Sequence, residues 1–263
     1  SLPDFVAPQL ARPMSRPPSG PGWGHEIKFD GYRMQLRVEQ GQASLRTRRG
    51  LDWSNRFPEI VAAGGTATAI AVDVSDGASV RAMKAQIESN IGPELSAFFA
   101  AGIFIRGVTG EIPEADWDRM MDIHVKGTFL CCQAVIPDMI AANKGAIVNM
   151  SSDFAVMAVP GAAAYMAAKS AIYSLTKSIA LEFAPQNIRA NALGPGPIDT
   201  PILKSGRTEA EYAKAREAFA ENLPIGRLGQ PEEVAAVLDF LLSERSAYMT
   251  GQIIHPNGGQ LMW

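Results

Sequence analysis

The sequence predicts an α/β fold in which helices cover a doubly wound, mostly parallel sheet. Short apolar strand patterns alternate with helical patterns from about residue 65 onward, and strands separated by helices are typical of a parallel sheet. The chain has 263 residues, of which 47% are hydrophobic, enough for one large domain with a core. We therefore predict a single domain with a body at residues 65–263 and an atypical N-terminal segment at residues 1–64.

Periodicity predicts each element of the body. Val80, Met83, Ile87 and Ile91 recur at helical spacing, whereas Gly145–Met150 is an apolar run of strand length bounded by glycine and serine. In chain order, the predicted elements are a strand at 67–72, a helix at 78–91, a strand at 97–99, a helix at 114–143 broken near Gly127, a strand at 145–150, a helix at 163–184, a strand at 189–193, helices at 209–221 and 232–242, and a strand at 252–255.

The N-terminal segment has a different pattern. Residues 25–29, 35–38 and 43–46 alternate like strands, and Gly31 and the stretch 39–41 separate them as turns, which predicts an antiparallel meander. The first 65 residues carry nine Lys and Arg against six Asp and Glu, although the whole chain has a net charge of -3. Such a charge difference indicates that the two parts have different origins or roles.

Composition excludes several classes of function. No run of 18 apolar residues is present, so we expect no membrane span, and the acidic balance disfavours nucleic-acid binding. The two cysteines, Cys131 and Cys132, are adjacent and make poor disulfide partners, which predicts a reduced, cytoplasmic protein. The three histidines are far apart and no Cys/His cluster has zinc spacing, so no metal site is expected.

One constellation in the body carries chemistry. Tyr165 and Lys169 are four residues apart on a predicted helix, hence on one face, and a nearby ammonium favours ionisation of a phenol. Tyr173 and Lys177 have the same spacing, so the pair alone is weak evidence. Ser152 lies 13 residues before Tyr165 at the end of an apolar strand, whereas the equivalent position for Tyr173 is Pro160. This context favours Tyr165 as a residue that exchanges a proton with an alcohol or carbonyl oxygen.

The body resembles the short-chain dehydrogenase/reductase family over residues 65–263. The matching motifs are Ile147–Ser152, Tyr165–Ala171, Asn191–Thr200, Gly226–Val234, Thr250–Gln252 and Asn257–Gly259. The resemblance implies a Rossmann-like sheet with strand order 3-2-1-4-5-6-7. It also implies an oxidoreductase that interconverts an alcohol and a ketone by hydride transfer with NAD or NADP, acts on a small molecule, and assembles as a homotetramer through the helices around 115–143 and 163–184 and the C-terminal strand.

The resemblance also implies roles for single residues. Tyr165 would be the general acid/base, Ser152 would bond the substrate oxygen, and Lys169 would lower the pKa of Tyr165 and hold the nicotinamide ribose. His124 stands where the family usually has an asparagine that positions a proton-relay water, and its alternative role is that of a satisfied core histidine. The implied cofactor-binding residues are Asp73, Val74, Ala101, Gly102, Lys169, Pro195, Gly196, Ile198 and Thr200. Candidates for the substrate pocket are Asp153, Phe154, Val159, Trp263 and the lid-like stretch 202–222.

The N-terminal segment resembles the start of the adenylation domain of ATP-dependent DNA ligases over residues 5–60. Glu26–Arg33 matches the nucleotidyl-lysine motif, with Lys28 at the adenylated position, but the downstream metal and triphosphate motifs are missing. The glycine-rich turn that binds the pyrophosphate in dehydrogenases is also missing. The segment either replaces the first βαβ unit or forms a separate patch. The alternatives to a dehydrogenase are a non-catalytic remnant without productive cofactor binding and, remotely, nucleotidyl transfer through Lys28.

Overall fold

The computed structural model describes residues 34–39, 42–47, 70–90, 92–200, 203 and 208–262. These residues fall into two compact units that divide between residues 94 and 95, and each unit is described by itself. The predicted strand at 25–29, Lys28 and the strand residues 67–69 lie outside the described residues, so the predictions made for them stay predictions.

The first unit contains a hairpin. Strands β1 (Met34–Glu39) and β2 (Gln42–Thr47) pair antiparallel, with Met34 opposite Thr47 and Glu39 opposite Gln42. This confirms two strands of the predicted meander, while residues 40 and 41 of the predicted turn lie outside the described residues. Among the described strands, β1 and β2 form a two-stranded sheet, and the choice between the two arrangements left open for this segment stays a prediction.

The rest of the first unit confirms a helix and corrects a strand. Helix α1 (Gly77–Asn90) follows the prediction to within one residue at each end, and Asp76 caps it because its carboxylate accepts the N–H of Ala78 at 2.9 Å. Ile70–Val72 were predicted as the end of a strand, and this was wrong, because they adopt no strand structure. A β-strand needs the hydrogen bonds of a neighbour, and no described strand pairs with these residues.

The second unit confirms the α/β fold with a parallel sheet. Its strands are β3 (Ser96–Phe99), β4 (Gly145–Met150), β5 (Ile188–Leu193) and β6 (Ile253–Ile254), and they are parallel and ordered β3-β4-β5-β6. Its longer helices are α2 (Glu114–Met121), α3 (Gly127–Ala142), α4 (Ala163–Phe183), α5 (Glu209–Asn222) and α6 (Pro231–Leu242). The strand sequence matches the last four strands of the implied order 3-2-1-4-5-6-7.

The core of the second unit lies between the central strands and helices α3 and α4. Ile147 of β4 and Ile188 of β5 pack with Met139 and Ile179 of the two helices, all buried. The run Glu114–Ala142 is long and apolar enough to cross a membrane by length and composition alone. Here α3 buries seven of its residues and packs on β3, β4 and α4, which is the arrangement of a core helix.

A π-helical segment, Asp122–Lys126, joins α2 to α3. It ends directly before Gly127, where the sequence predicted a break in the helix. Segments of this kind mark places where a helix carries one extra residue, and they are frequent at functional sites. The segment places His124 in the interior, where the side chain is 1% exposed.

Candidate active site

Ser152 lies at the carboxyl end of β4, next to the end of β5. The Ser151 N–H donates to the Leu193 carbonyl at 2.7 Å, and the Asp153 N–H donates to the Pro195 carbonyl at 3.2 Å. These two bonds fasten the turn after β4 to the loop after β5. In open α/β sheets the crevice outside the carboxyl ends of the strands is where ligands bind, and Ser152 is buried at this edge.

Tyr165 and Lys169 come from the first turns of α4 and lie on one face of it. The Lys169 ammonium donates to the Met150 carbonyl at 2.8 Å, at the end of the strand that carries Ser152. Its Nζ is 5.4 Å from the centroid of the Tyr165 ring. The Ser151 hydroxyl donates to the Lys169 carbonyl at 2.9 Å. Helix α4 is thereby anchored to the end of β4, and the three residues predicted as a constellation are brought together.

Three aromatic rings meet the Tyr165 ring edge-on. The ring centroids of Phe104, His124 and Phe154 lie 5.0, 5.5 and 5.9 Å from that of Tyr165, at interplanar angles of 85–89°. Such edge-to-face contacts are favourable beyond the burial of apolar area, and they hold the phenol in one orientation. Sequence reasoning missed Phe104, which lies in an irregular stretch after β3 with no motif to indicate it.

The environment of Tyr165 keeps its phenol neutral. Burial raises the pKa of Tyr165 well above its ordinary value; a hydrogen bond with Ser152 offsets part of this rise, and the nearby Asp153 carboxylate adds to it. A phenol with a raised pKa is protonated throughout the neutral range. In this structure Tyr165 is therefore set to donate a proton, and the predicted lowering of its pKa by Lys169 stays a prediction.

His124 contacts the turn that follows β3. Its Nε2 lies 3.0 Å from the Ile103 nitrogen and 2.7 Å from the Ile103 oxygen, so the tautomer decides whether the ring accepts or donates. A Cβ atom added at Gly102 would overlap the His124 ring, lying 3.0 Å from Nδ1. His124 is buried and borders the Tyr165 ring, and its choice between the two predicted roles stays a prediction.

The implied cofactor residues fall into two groups. Pro195, Gly196, Ile198 and Thr200 lie on the loop after β5, whose backbone bonds to the residues after β6 and to Gly229. Ala101 and Gly102 lie in the turn after β3, at the same edge of the sheet.

Asp73 and Val74 belong to the first unit. The Asp73 carboxylate accepts the Ser75 N–H at 3.0 Å and the Ser75 hydroxyl at 2.6 Å. These bonds form a turn in which an aspartate side chain accepts from the backbone two residues on. Val74 is buried.

Helix α5 is tied to the loop after β5. The Tyr212 hydroxyl donates to one oxygen of Asp199 at 2.6 Å, and Arg216 donates to the other at 2.7 Å. A capping box at Thr208 and Glu211 starts the helix. Part of the predicted lid is therefore held against the loop that the resemblance assigns to the cofactor, while residues 201, 202 and 204–207 lie outside the description.

The pocket candidates differ in position. Asp153 is 1% exposed, Phe154 contacts Tyr165, and the Val159 N–H lies 3.4 Å from the Met166 sulfur. Trp263 lies outside the described residues. Within the part of the chain that the structure describes, no group of three or more His, Cys, Asp or Glu side chains has the geometry of a metal site.

Comparison with known proteins gives a consistent set of similarities. Residues 38–260 match the family model described as enoyl-(acyl carrier protein) reductase. A 3-oxoacyl-(acyl-carrier-protein) reductase FabG of Thermotoga maritima is 43% identical over 159 residues, covering 60% of this chain and 63% of that protein, which is less than two thirds of its length. The FabG reductase of Staphylococcus aureus is 36% identical over 204 residues, covering 78% and 81%.

A solved structure is similar over a share of the chain close to that covered by the Staphylococcus aureus reductase. A gluconate 5-dehydrogenase from Burkholderia cenocepacia J2315, in complex with NADP and tartrate, aligns with a TM-score of 0.72 at 30% identity, covering 79% of this chain and 80% of that one. The matched family model begins at residue 38, so the similarity extends into the segment that the sequence set apart as atypical.

Proposed function

The chain belongs to the short-chain dehydrogenase/reductase family, and from this membership and the geometry of the site we propose that it interconverts an alcohol and a ketone with NAD or NADP. The observation that carries the proposal is the assembly of Ser152, Tyr165 and Lys169 at the carboxyl ends of β4 and β5. Tyr165 acts as the general acid in carbonyl reduction and as the general base in the reverse reaction.

The protein's own part in the reaction is to move one proton and to orient the reacting carbonyl. The neutral Tyr165 phenol donates its proton to the carbonyl oxygen as charge develops there, and Ser152 bonds the same oxygen. Lys169, fixed on the Met150 carbonyl, places a positive charge beside the Tyr165 ring and stabilises the phenolate that proton donation leaves behind. His124 and the two phenylalanines keep the phenol in place.

Residues of the second unit fit the nicotinamide end of the cofactor. The loop carrying Pro195, Gly196, Ile198 and Thr200 leaves β5 beside Ser152, held by the bond between Asp153 and Pro195, and Lys169 supplies a cationic donor next to it. When bound, the cofactor supplies or accepts the hydride. The adenine-end roles of Asp73 and Val74 stay what the resemblance implies, and the choice between NAD and NADP is left to experiment.

Calorimetric titration of the full chain with NADH and with NADPH tests cofactor binding directly. We expect binding of at least one of them in the micromolar range, where the Michaelis constants of many enzymes lie, because the residues implied for the nicotinamide end lie at the ligand-binding edge of the sheet. If neither dinucleotide binds, the chain is the non-catalytic remnant that the missing glycine-rich turn suggests, and the proposed activity is rejected.

A 3-oxoacyl thioester is the first substrate to test, because two related proteins are 3-oxoacyl-(acyl-carrier-protein) reductases. A sugar acid is the second, because a structural relative is a gluconate 5-dehydrogenase. Consumption of the reduced dinucleotide, followed by its absorbance, ranks the two classes by kcat/KM.

We also propose that the chain assembles as a homotetramer in the cytoplasm. Helices α3 and α4, implied as the contact surfaces, expose large apolar side chains: Phe129 and Ile140 on α3, and Leu181 on α4 with 81% of its surface accessible. We expect Leu181→Glu to lower the association state seen by analytical ultracentrifugation, since a charge opposes burial of this surface. The exposed Lys177→Glu, on the same helix, serves as the charge control, and identical sedimentation of all three proteins would contradict the proposal.

A further inference from the structure

Asp153 follows Ser152 directly and is the most deeply buried carboxylate of the site. It is 1% exposed, and its backbone N–H is fixed on the Pro195 carbonyl. The Ser152 hydroxyl donates to Asp153 Oδ1 at 3.0 Å. The other carboxylate oxygen, Oδ2, is buried and has no hydrogen-bond partner among the described residues. This burial of Asp153 needs an explanation, because burying an anionic oxygen without a hydrogen bond is costly.

The hydrogen bond to Asp153 decides where the Ser152 proton points. Ser152 Oγ already accepts the Phe154 N–H at 3.2 Å, and a serine hydroxyl has one proton to give. While Asp153 is ionised, that proton is directed at the carboxylate, and Ser152 can only accept from Tyr165 or from a substrate. When Asp153 is protonated, its own O–H can donate to Ser152 Oγ, and the serine proton is released toward the substrate oxygen.

The protonated state of Asp153 suits the transition state of the proposed reaction. The reacting oxygen carries developing negative charge in that transition state, which is the same in both directions, and a hydrogen-bond donor stabilises it. We propose that Asp153 is a positioning residue that sets the direction of the Ser152 hydroxyl, so that the serine donates to the reacting oxygen when Asp153 is protonated and this donor is lost when Asp153 is ionised. This inference rests on the proposed function of the same site, and no proton leaves the Asp153–Ser152 pair in either direction of the reaction.

The pKa of Asp153 lies at a pH where the activity of the protein can be measured. Burial raises the pKa of Asp153 from its ordinary value near 3.8 to about 6, while the hydrogen bond from Ser152 offsets part of the rise. The other titratable groups that face this turn are Tyr165 and Lys169 on α4, His124 beside Tyr165, and His255, whose Nδ1 lies 2.8 Å from the Gly194 oxygen. Histidine is the side chain that ordinarily titrates near this pH, so the two histidines are the competing sources of any pH effect, and burial lowers the pKa of His255 from its ordinary value.

The kinetic test measures kcat/KM against pH in both directions for the full chain and for Asp153→Asn. We expect kcat/KM of the unchanged chain, divided by that of Asp153→Asn at the same pH, to fall by about three- to tenfold as the pH rises through about 6, the effect of one hydrogen bond. Because both directions share one transition state, the fall is the same for reduction and oxidation. Asparagine cannot titrate, so this limb is absent from Asp153→Asn, whereas His124→Asn and His255→Asn retain it. A limb that survives in Asp153→Asn, or that disappears only in one of the histidine variants, overturns the proposal.

A second test needs no turnover. Infrared titration of the carboxyl band, assigned by its loss in Asp153→Asn, gives the midpoint of Asp153 in the protein without substrate. Ser152→Ala removes a donor that stabilises the ionised form, so it raises this midpoint by roughly one pH unit. An unchanged midpoint means that Asp153 does not control the Ser152 hydroxyl and rejects the inference. If the chain binds no dinucleotide, the proposed function fails separately, while this titration still decides on the Asp153–Ser152 pair.

Discussion

Tyr165→Phe is expected to lower kcat for dinucleotide-dependent carbonyl reduction by about 10²–10⁴-fold, the contribution typical of a positioned general acid. The phenol of Tyr165 is neutral at neutral pH, as an ordinary phenol is, and burial raises its pKa further, so it holds the proton that the carbonyl oxygen must receive. Phenylalanine retains the ring that packs edge-on against Phe104, His124 and Phe154. The loss therefore falls on kcat, while the dissociation constant of the dinucleotide changes little.

The chain supplies its own control for this substitution. Tyr173 lies on the same helix, and the Lys177 Nζ is 4.5 Å from its ring centroid, which repeats the spacing of Tyr165 and Lys169 but has Pro160 at the position equivalent to Ser152. We expect Tyr173→Phe to leave kcat within about twofold, since surface-type substitutions have small effects. Equal losses from the two variants, or full turnover by Tyr165→Phe, would remove Tyr165 from the proposed chemistry.

Gly102→Ala is expected to destabilise the protein by about 1–3 kcal/mol, the usual cost of forcing extra atoms into a packed interior. The new methyl group would overlap the His124 ring, and that ring is buried and bonded to Ile103. It cannot move without breaking this contact or shifting against Tyr165. The free energy of unfolding in urea measures the loss, and a fall in kcat accompanies it because the phenol is displaced.

Two further variants distinguish the overlap between a side chain at position 102 and the His124 ring from the general effect of replacing a glycine by alanine. A Cβ atom at Gly110 meets nothing within 4 Å, so Gly110→Ala should be neutral or stabilise the fold by about 0.4–1 kcal/mol through the unfolded state. In the His124→Ala background the ring is gone, and Gly102→Ala should cost much less than in the original chain. A cost that is the same in both backgrounds would show that the His124 contact is not its cause.

The local pattern of the sequence was sufficient to predict the helices and strands of most of the second unit. The strand Gly145–Met150 and the helices around it have strong periodicity, and their bounds agree with the structure within about one residue. Ser152 and Tyr165 could be placed together because a serine at a strand end and a tyrosine at the next helix start meet at one edge of a parallel sheet.

Features that depend on contacts between residues far apart in the sequence could not be predicted from the local pattern. Residues 70–72 have a strand pattern but no described neighbour to pair with, and pairing, not pattern, makes a strand. Phe104 contacts Tyr165 from 61 positions away in the chain, so no local spacing indicates it. The burial of Asp153 was also hidden, because the bond that fastens it comes from Pro195 on the next strand's loop.

The π segment Asp122–Lys126 sets the rotational phase between α2 and α3. In an unbroken helix, Met120 would point about a quarter of a turn away from the middle of the buried side of α3. Each residue of an α-helix occupies about 100° around the axis, so the extra residue of the π segment rotates α2 by about that angle relative to α3. Met120 and the buried side of α3 therefore both face inward. The length of this segment is therefore as important as its side chains: deletion of one residue there would rotate α2 by about 100° relative to α3 and remove Met120 from the interior.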